Sequence, residues 1–369
     1  MDREKFLFPG RHYFLSHSVG AQPKLYADAM EAGYADPWRT DGAGVWDAWF
    51  ATLDRFRAGL APLIGANVDD ICPQTNVSSA ISKILFSLPE RDGRRKIILT
   101  EDDFPTVGFA LGQARRMGYE LIFLPGGPQL ADADAWAQAF GDDVQLVLAT
   151  HVYSNTSIMA PVAEIARRAR ASGVFSILDI AQSAGGAPIN LMEWAPDFAV
   201  GTSLKYLCGG AGAAFLWAAA ETAEQSAPLD VGWFSHAAPF ELDIRRFEYA
   251  KGATRFLGGT PSIAPFAGAI GGQQILNMHG MDKIFAHNQA LMSRLIGALP
   301  DDALLSMTQE GARGNGALIK VRDYDKAAAA LSEAGISHDT RLGTVRVSVH
   351  LYNDETDIDA LVGVVTPHL

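Results

Sequence analysis

A lysine and an aspartate at the ends of two predicted strands are the most informative residues for chemistry in this chain. Lys205 follows a short apolar strand and the hydroxyl residues Thr202 and Ser203, and a glycine-rich turn comes directly after it. Asp179 closes an earlier apolar strand, residues 174–179. An amine can form a Schiff base with an aldehyde, and a carboxylate can keep a pyridine nitrogen protonated so that the ring withdraws electrons. Together the two residues predict a site for pyridoxal 5′-phosphate (PLP).

Each residue also has a simpler interpretation. Lys205 could open a turn at the surface, and Asp179 could cap the helix that follows its strand. The position of Lys205 between an apolar strand and Gly-Gly-Ala-Gly favours the Schiff-base amine. With that lysine downstream, Asp179 is favoured as the partner of the pyridinium nitrogen in a charge-assisted hydrogen bond.

Composition excludes several classes of protein. The 369-residue chain is 48% hydrophobic and carries a net charge of -12, so a basic groove for nucleic acid is not expected. Its two cysteines, Cys72 and Cys208, make neither a disulfide framework nor a zinc motif, and the histidines lack metal-ligand spacing, so no metal is expected. No apolar stretch reaches the length of a membrane span, and the N-terminal residues lack the apolar region of a signal peptide. We therefore expect a cytoplasmic enzyme without a membrane partner.

Short apolar runs alternate with amphipathic stretches from about residue 65 to 218, which predicts a large α/β domain with a mostly parallel, buried sheet. The last part of the chain reads strand, helix, strand, helix and predicts a smaller C-terminal α+β domain. We expect an N-terminal segment that packs on the active site (1–60), the large PLP-binding domain (61–275) and the small domain (276–369).

Polar residues follow five of the predicted strands, and ligands of open α/β sheets bind beyond the carboxyl ends of the strands. Thr75, Asn76 and Val77 precede a helix and predict a phosphate cup, with a plain helix cap as the alternative. Thr202 and Ser203 are candidates for a second side of this phosphate cup. The ring of Phe104 could stack on the pyridine ring of the cofactor. Asn155 and Gln182 are candidates for polar contact with the 3-oxygen of the cofactor.

Arg346 lies on a predicted strand of the small domain, amid alternating apolar residues. It could face solvent, but a guanidinium aimed at the crevice would bind a substrate carboxylate through two hydrogen bonds. His17 is a second candidate for substrate binding, although for His17, His151, His236 and His350 a structural role is favoured over a catalytic one.

Several motifs make the chain resemble the class V aminotransferase superfamily of fold-type I PLP enzymes, and most closely its kynureninase branch. The matching segments run along nearly the whole sequence: 13–23, 103–106, 150–153, 179–185, 205–207, 232–236 and 346–353. The resemblance implies the fold-type I transferase fold, a homodimer with shared active sites, and the roles given above for Lys205, Asp179, Phe104 and Arg346. It also places Trp233 and Thr260 with Asn76 and Val77 around the phosphate, partly across the dimer.

The chain departs from the kynureninase pattern at Leu204, Val107 and Gln182, where that branch carries Tyr, Asp and His. The resemblance implies an enzyme that acts on an L-amino acid through an external aldimine and, as a lyase or hydrolase, cleaves a C–C or C–S bond of the amino acid's side chain. A class V aminotransferase is the alternative; an epimerase, a cysteine desulfurase and a non-catalytic scaffold follow in that order. Cys72 and Cys208 lie in the phosphate-cup region and beside the lysine, which disfavours the desulfurase.

Overall fold

A computed structural model describes all residues from 1 to 369. The strands are β1 (Phe6–Leu7), β2 (His12–Tyr13), β3 (Gln22–Pro23), β4 (Ile71–Gln74), β5 (Lys96–Thr100), β6 (Glu120–Leu124), β7 (Val144–Thr150), β8 (Phe175–Asp179), β9 (Phe198–Thr202), β10 (Ala214–Ala218), β11 (Gly316–Ile319), β12 (Ile336–Ser337), β13 (Asp339–Arg341) and β14 (Thr344–Ser348). The helices are α1 (Tyr26–Met30), α2 (Asp36–Thr40), α3 (Val45–Ile64), α4 (Val77–Leu85), α5 (Pro105–Leu111), α6 (Ala133–Ala137), α7 (Val162–Ala171), α8 (Leu191–Trp194), α9 (Ala220–Gln225), α10 (Ala264–His279), α11 (Met281–Ala298), α12 (Tyr324–Glu333) and α13 (Glu355–Val365).

The central sheet has seven strands in the order β4-β10-β9-β8-β7-β5-β6, and only β10 runs antiparallel to its neighbours. Every residue of β7, β8 and β10 is buried. Alternate side chains of β7 enter two separate cores: Val147 packs with α3, α7 and α10, and Leu148 packs with α4 and α5. Continuous apolar strands are stable only when helices cover both faces, so the predicted α/β sheet is observed.

The C-terminal part contains a three-stranded antiparallel sheet in the order β11-β14-β13, and α11, α12 and α13 pack against it. The sequence predicts strands over 317–321 and 345–349 and helices over 324–334 and 355–365, and the observed bounds differ from these by at most two residues. The sequence did not predict β12 and β13, which are only two and three residues long. The division at residue 275 stays a proposal, and in the structure this residue lies inside α10.

The N-terminal segment ties the small sheet to the loop that carries Lys205. Strand β2 pairs with β12, and the N–H of Gly20 donates to the carbonyl oxygen of Leu204 at 2.8 Å. A Cβ atom on Gly20 would lie 2.0 Å from the carbonyl oxygen of Lys205 and 3.0 Å from Cα of Cys208. Only glycine allows the two backbones to approach so closely.

No helix has both the length and the apolar character that crossing a membrane would require.

We predict that Gly20→Ala destabilises the protein by about 1–3 kcal/mol, because the added methyl group must push the lysine loop away from the N-terminal segment. Urea denaturation of both proteins measures the difference in the free energy of unfolding. Gly297→Ala in α11 is the matched control, because a Cβ atom there meets nothing within 4 Å. Equal stability of Gly20→Ala and the wild type would contradict the close approach.

Candidate active site

A cavity of about 430 Å³ opens beyond the carboxyl ends of the parallel strands. Its walls come from the ends of β4, β5, β7, β8 and β9, from the N-terminal segment and from the β13–β14 hairpin. Ten of the residues predicted for the site line this cavity: His17, Thr75, Asn76, Val77, Phe104, Asp179, Gln182, Thr202, Lys205 and Arg346.

Four predicted residues do not line the cavity. Asn155 donates its side-chain amide to Asp102 Oδ1 at 3.1 Å instead. Ser203 is fully buried, and its hydroxyl has no hydrogen-bond partner. Trp233 and Thr260 contact each other, with Nε1 and Oγ1 3.3 Å apart, on the surface outside the cavity.

Lys205 and Asp179 are opposite charges enclosed in the same cavity. Burial lowers the pKa of the Lys205 amine; the charge of Asp179 opposes this shift, and those of Arg346 and Arg341 add to it. The amine makes no hydrogen bond or ion pair within the protein, and its nitrogen lies 5.6 Å from the centre of the Phe104 ring. A lowered pKa increases the fraction of the neutral amine, which is the nucleophilic form.

Asp179 ends β8 at the floor of the cavity, where its backbone is paired with the neighbouring strands β7 and β9. Burial raises the pKa of its carboxyl, against the N–H of Ala181, which donates to Oδ1 at 2.8 Å. Oδ2 has no hydrogen-bond partner in the protein. A buried carboxylate with a free oxygen calls for a protonated partner, because an unpaired buried charge is costly.

The first turn of α4 forms the opposite wall. Asn76 caps the helix by accepting a hydrogen bond from the N–H of Ser79 at 2.8 Å, so the plain-cap interpretation of this residue also holds. The N–H groups of Val77 and Ser78 donate to no backbone or side-chain acceptor, and both residues line the cavity. These free donors at a helix N-terminus suit an anion such as a phosphate.

Arg346 is held by neighbours on three sides. Its Nε and Nη2 atoms donate to the two oxygens of Asp339 at 2.7 and 2.5 Å, and Nη1 donates to the carbonyl oxygen of Ser154 at 3.2 Å. His17 reaches the same carboxylate, with Nε2 3.0 Å from Asp339 Oδ1. The alternative in which Arg346 faces solvent is therefore wrong: it is 6% exposed and lines the cavity.

Sequence analysis assigned no role to three residues of this region. Asp339 and Arg341 lie on the unpredicted strand β13, and Arg341 lines the cavity. Asp103 lies beside the cavity, where Thr150 Oγ1 donates to it at 2.6 Å and the N–H of Thr100 at 2.7 Å. Pairing of Asp339 with an arginine seven residues away could not be read from the sequence without knowing that a hairpin joins them.

The unsatisfied groups of the cavity fit PLP. The Lys205 amine is free for an aldehyde, and the Asp179 oxygen is free for a pyridinium N–H. The N–H groups of Val77 and Ser78 are free for a phosphate. Phe104, with 45% of its surface exposed, presents a ring beside the lysine on which a planar heterocycle can stack.

Comparisons with known proteins support the fit of PLP to this cavity. The family model "Aminotransferase class-V" matches residues 34–361. A kynureninase of Deinococcus radiodurans is 34% identical over 272 residues, which are 71% of this chain and 64% of that protein. A kynureninase of Pseudomonas fluorescens is 29% identical over 277 residues, 72% of this chain and 65% of the relative. The match thus spans somewhat less than two thirds of these relatives.

Two solved structures have the same fold. The cystine C–S lyase C-DES, in complex with its reaction product cysteine persulfide, superposes with a TM-score of 0.86 at 22% identity, over 96% of this chain and 97% of that one. The apo cysteine desulfurase from Thermococcus onnurineus NA1 gives a TM-score of 0.84 at 21% identity, over 96% and 93% of the two chains.

Fold and site thus define a PLP-dependent enzyme of fold type I. The chain belongs to the class V aminotransferase family and is similar to kynureninases, as its motifs predicted.

We predict that borohydride reduction of the protein loaded with PLP leaves a pyridoxyl group on Lys205, because this amine is enclosed, unpaired and low in pKa. Peptide mass spectrometry locates the adduct. Lys205→Ala should carry no stoichiometric adduct and no visible absorption band, whereas the exposed control Lys24→Ala should retain both. An adduct that persists in Lys205→Ala would contradict the assignment.

The buried carboxyl group of Asp103 should make the free energy of unfolding depend on pH. Burial raises the pKa of its carboxyl from 3.8 to about 7, so the folded protein holds the proton more tightly than the unfolded chain. The free energy of unfolding should therefore fall as the pH rises from about 4 to 7, and this fall should be smaller in Asp103→Asn.

Urea denaturation midpoints of the two proteins at pH 5 and pH 8 measure this difference. Asp142→Asn, at an exposed residue without a hydrogen bond to its carboxylate, is the control. Parallel pH profiles of the wild type and Asp103→Asn would show that Asp103 does not titrate in this range.

Proposed function

We propose that this protein is a PLP-dependent lyase or hydrolase that acts on an L-amino acid and cleaves a C–C or C–S bond of its side chain, as a kynureninase-like enzyme. The observation that carries the proposal is the enclosure of Lys205, Asp179 and Arg346 in one cavity. Similarity to kynureninases supports cleavage of the side chain as the reaction type.

The bound cofactor supplies an electron sink next to the α-carbon of the amino acid. The free oxygen of Asp179 would hold a proton on the pyridine nitrogen, and burial would strengthen this ionic hydrogen bond. Lys205 would hold the cofactor through its amine and would act as the acid–base group that moves the α-proton at its Nζ atom. Thr75, Asn76, Val77 and Thr202, which line the cavity, would hold the phosphate.

Arg346 binds the α-carboxylate of the substrate. Asp339 occupies Nε and one N–H of Nη2, and the carbonyl oxygen of Ser154 occupies one N–H of Nη1, so one N–H of each Nη atom is left for a second carboxylate. Asp339 and His17 thus hold the guanidinium in one orientation before the substrate arrives. A preorganised donor lowers the entropy cost of binding.

Gln182 lines the cavity and contacts the N-terminal segment. Its Nε2 atom donates to the carbonyl oxygen of His17 at 3.0 Å, so its Oε1 atom remains available on the cavity side. We propose that Gln182 contacts the cofactor from there. The corresponding role for Asn155 requires its amide to leave Asp102.

Transamination is the second candidate, and the family match favours it. Val107 and Leu204 line the cavity at positions where kynureninases carry Asp and Tyr. At these two positions the cavity therefore differs from the kynureninase pattern. A desulfurase is disfavoured, because Cys72 and Cys208 are both 1% exposed and burial raises the pKa of both thiols. A buried, protonated thiol is a poor persulfide carrier.

We further propose a homodimer in the cytoplasm, with Trp233 and Thr260 completing the phosphate site of the partner subunit. The surface near Trp233 exposes Phe240 by 60%, Leu242 by 73% and Ile244 by 96%. Such an apolar patch is typical of a protein–protein interface. Analytical ultracentrifugation tests the dimer, and a monomer would contradict it.

The reaction is tested by following the visible absorption of the PLP-loaded protein with a panel of L-amino acids, kynurenine included, without a keto acid. A band that returns as substrate is consumed identifies a lyase or hydrolase, and analysis of the products identifies the cleaved bond. A band that is lost permanently with formation of pyridoxamine phosphate identifies an aminotransferase and contradicts the proposal.

Arg346→Ala should raise KM for the reacting amino acid about ten- to hundredfold, because it removes charge-assisted hydrogen bonds to the α-carboxylate. Steady-state kinetics measure KM and kcat separately. Arg116→Gln, at an exposed arginine without a hydrogen bond from its side chain, is the control. A KM that does not change in Arg346→Ala would contradict the assigned role.

A further inference from the structure

We propose that Arg341 forms a second anion-binding subsite, so that the preferred substrate carries an acidic group at the far end of its side chain. The inference rests on the proposed function and narrows its substrate class. Aspartate, glutamate and longer amino dicarboxylic or amino sulfinic acids have the required chemistry.

The β13–β14 hairpin brings Arg341 to the cavity. Asp339 pairs with Arg346 across the two strands, and Arg341 pairs with Thr344. Side chains two residues apart on a strand point to the same face, as do directly opposite ones, so Asp339, Arg341 and Arg346 share one face. Val345 and Val347 take the other face and enter the core of the small sheet. The shared face is the one that lines the cavity.

A tight turn holds Arg341 in this position. Leu342 and Gly343 have positive φ angles of 54° and 74°, which produce a two-residue turn between the strands. Thr344 Oγ1 donates to the carbonyl oxygen of Arg341 at 2.7 Å and closes the turn. Leucine rarely adopts a positive φ, so the register of the hairpin, and with it the direction of Arg341, is imposed by the rest of the fold.

Of the two arginines on this face, Arg346 is paired with a carboxylate and Arg341 is not. Asp339 neutralises Arg346 through two hydrogen bonds. Arg341 forms no ion pair, and its Nε atom is enclosed without a hydrogen-bond partner. An enclosed N–H of a charged group without an acceptor is costly. Arg341 is therefore the guanidinium of this cavity that has no carboxylate partner within the protein, whereas Asp339 already neutralises Arg346.

The fold puts Arg341 on a different wall from the proposed phosphate cup and on the same hairpin as Arg346, which is proposed to bind the α-carboxylate. The free N–H groups of Val77 and Ser78 belong to the β4–α4 wall, whereas Arg341 and Arg346 belong to one hairpin. Diagonal neighbours on paired strands lie about 7–8 Å apart, and two flexible guanidinium groups at this spacing can hold both ends of a short dicarboxylic acid.

The test uses non-reacting acids on the PLP-loaded protein, so that it does not depend on turnover. Isothermal titration calorimetry compares glutarate with pentanoate, which has the same number of carbon atoms and one carboxylate fewer. The wild type should bind glutarate at least about tenfold more tightly than pentanoate. Arg341→Gln should lose this preference with little change for pentanoate, and Arg341→Lys should keep part of it. Arg116→Gln should behave as the wild type.

Three outcomes would overturn the subsite. One is equal affinity of the wild type for the two acids. Another is an equal loss for both acids in Arg341→Gln, which would assign Arg341 to the α-carboxylate. The third is weaker retention of PLP in Arg341→Gln, measured by equilibrium dialysis, which would assign it to the phosphate. A preference for glutarate in a protein that converts no amino acid would refute the proposed function while leaving the subsite intact.

Discussion

The structure depends on the enclosure of an unpaired amine and an unpaired carboxylate in one cavity. Asp179 ends β8 and Lys205 lies in the loop that follows the parallel neighbour β9, and both residues line the cavity beyond the same sheet edge. Each is held partly out of water, and no other hydrogen bond or ion pair of the protein satisfies the amine or Oδ2 of the carboxylate. Keeping two such groups without a salt bridge between them costs stability, which is typical of an active site. A bound cofactor would supply the missing partners.

The rest of the fold keeps this arrangement rigid. The sheet is buried on both faces, so the strand ends cannot shift independently. Gly20 allows the N-terminal segment to contact the backbone of Lys205 closely. Gln182, which follows β8, donates a hydrogen bond to the carbonyl oxygen of His17 in the same segment. Three segments that are distant in sequence are thereby locked around one cavity.

Charge is distributed unevenly over the cavity. The wall formed by α4 offers neutral N–H and hydroxyl donors, whereas the hairpin wall carries two guanidinium groups and one carboxylate. Asp339 has a strongly lowered pKa because Arg346 and His17 bind it, so it stays ionised and keeps Arg346 oriented. A dianionic phosphate on the neutral wall and carboxylates on the cationic wall would orient a bound cofactor and substrate relative to each other.

The sequence by itself determined the fold class, the family, the cofactor and ten of the residues that line the cavity. Strands such as β7 and β8 are continuous apolar runs that can only be buried, and the parallel order then sends Asp179, Thr202 and Lys205 to one edge. These predictions succeeded because they depend on local hydrophobicity and on residues that follow strand ends. Tertiary structure alone decided the partners of Arg346, since Asp339 and Arg341 lie on a three-residue strand whose polar pattern is not that of a strand. It also turned Asn155 towards Asp102 and left Trp233 and Thr260 on the surface, because the contacts of a side chain depend on elements packed from elsewhere in the sequence.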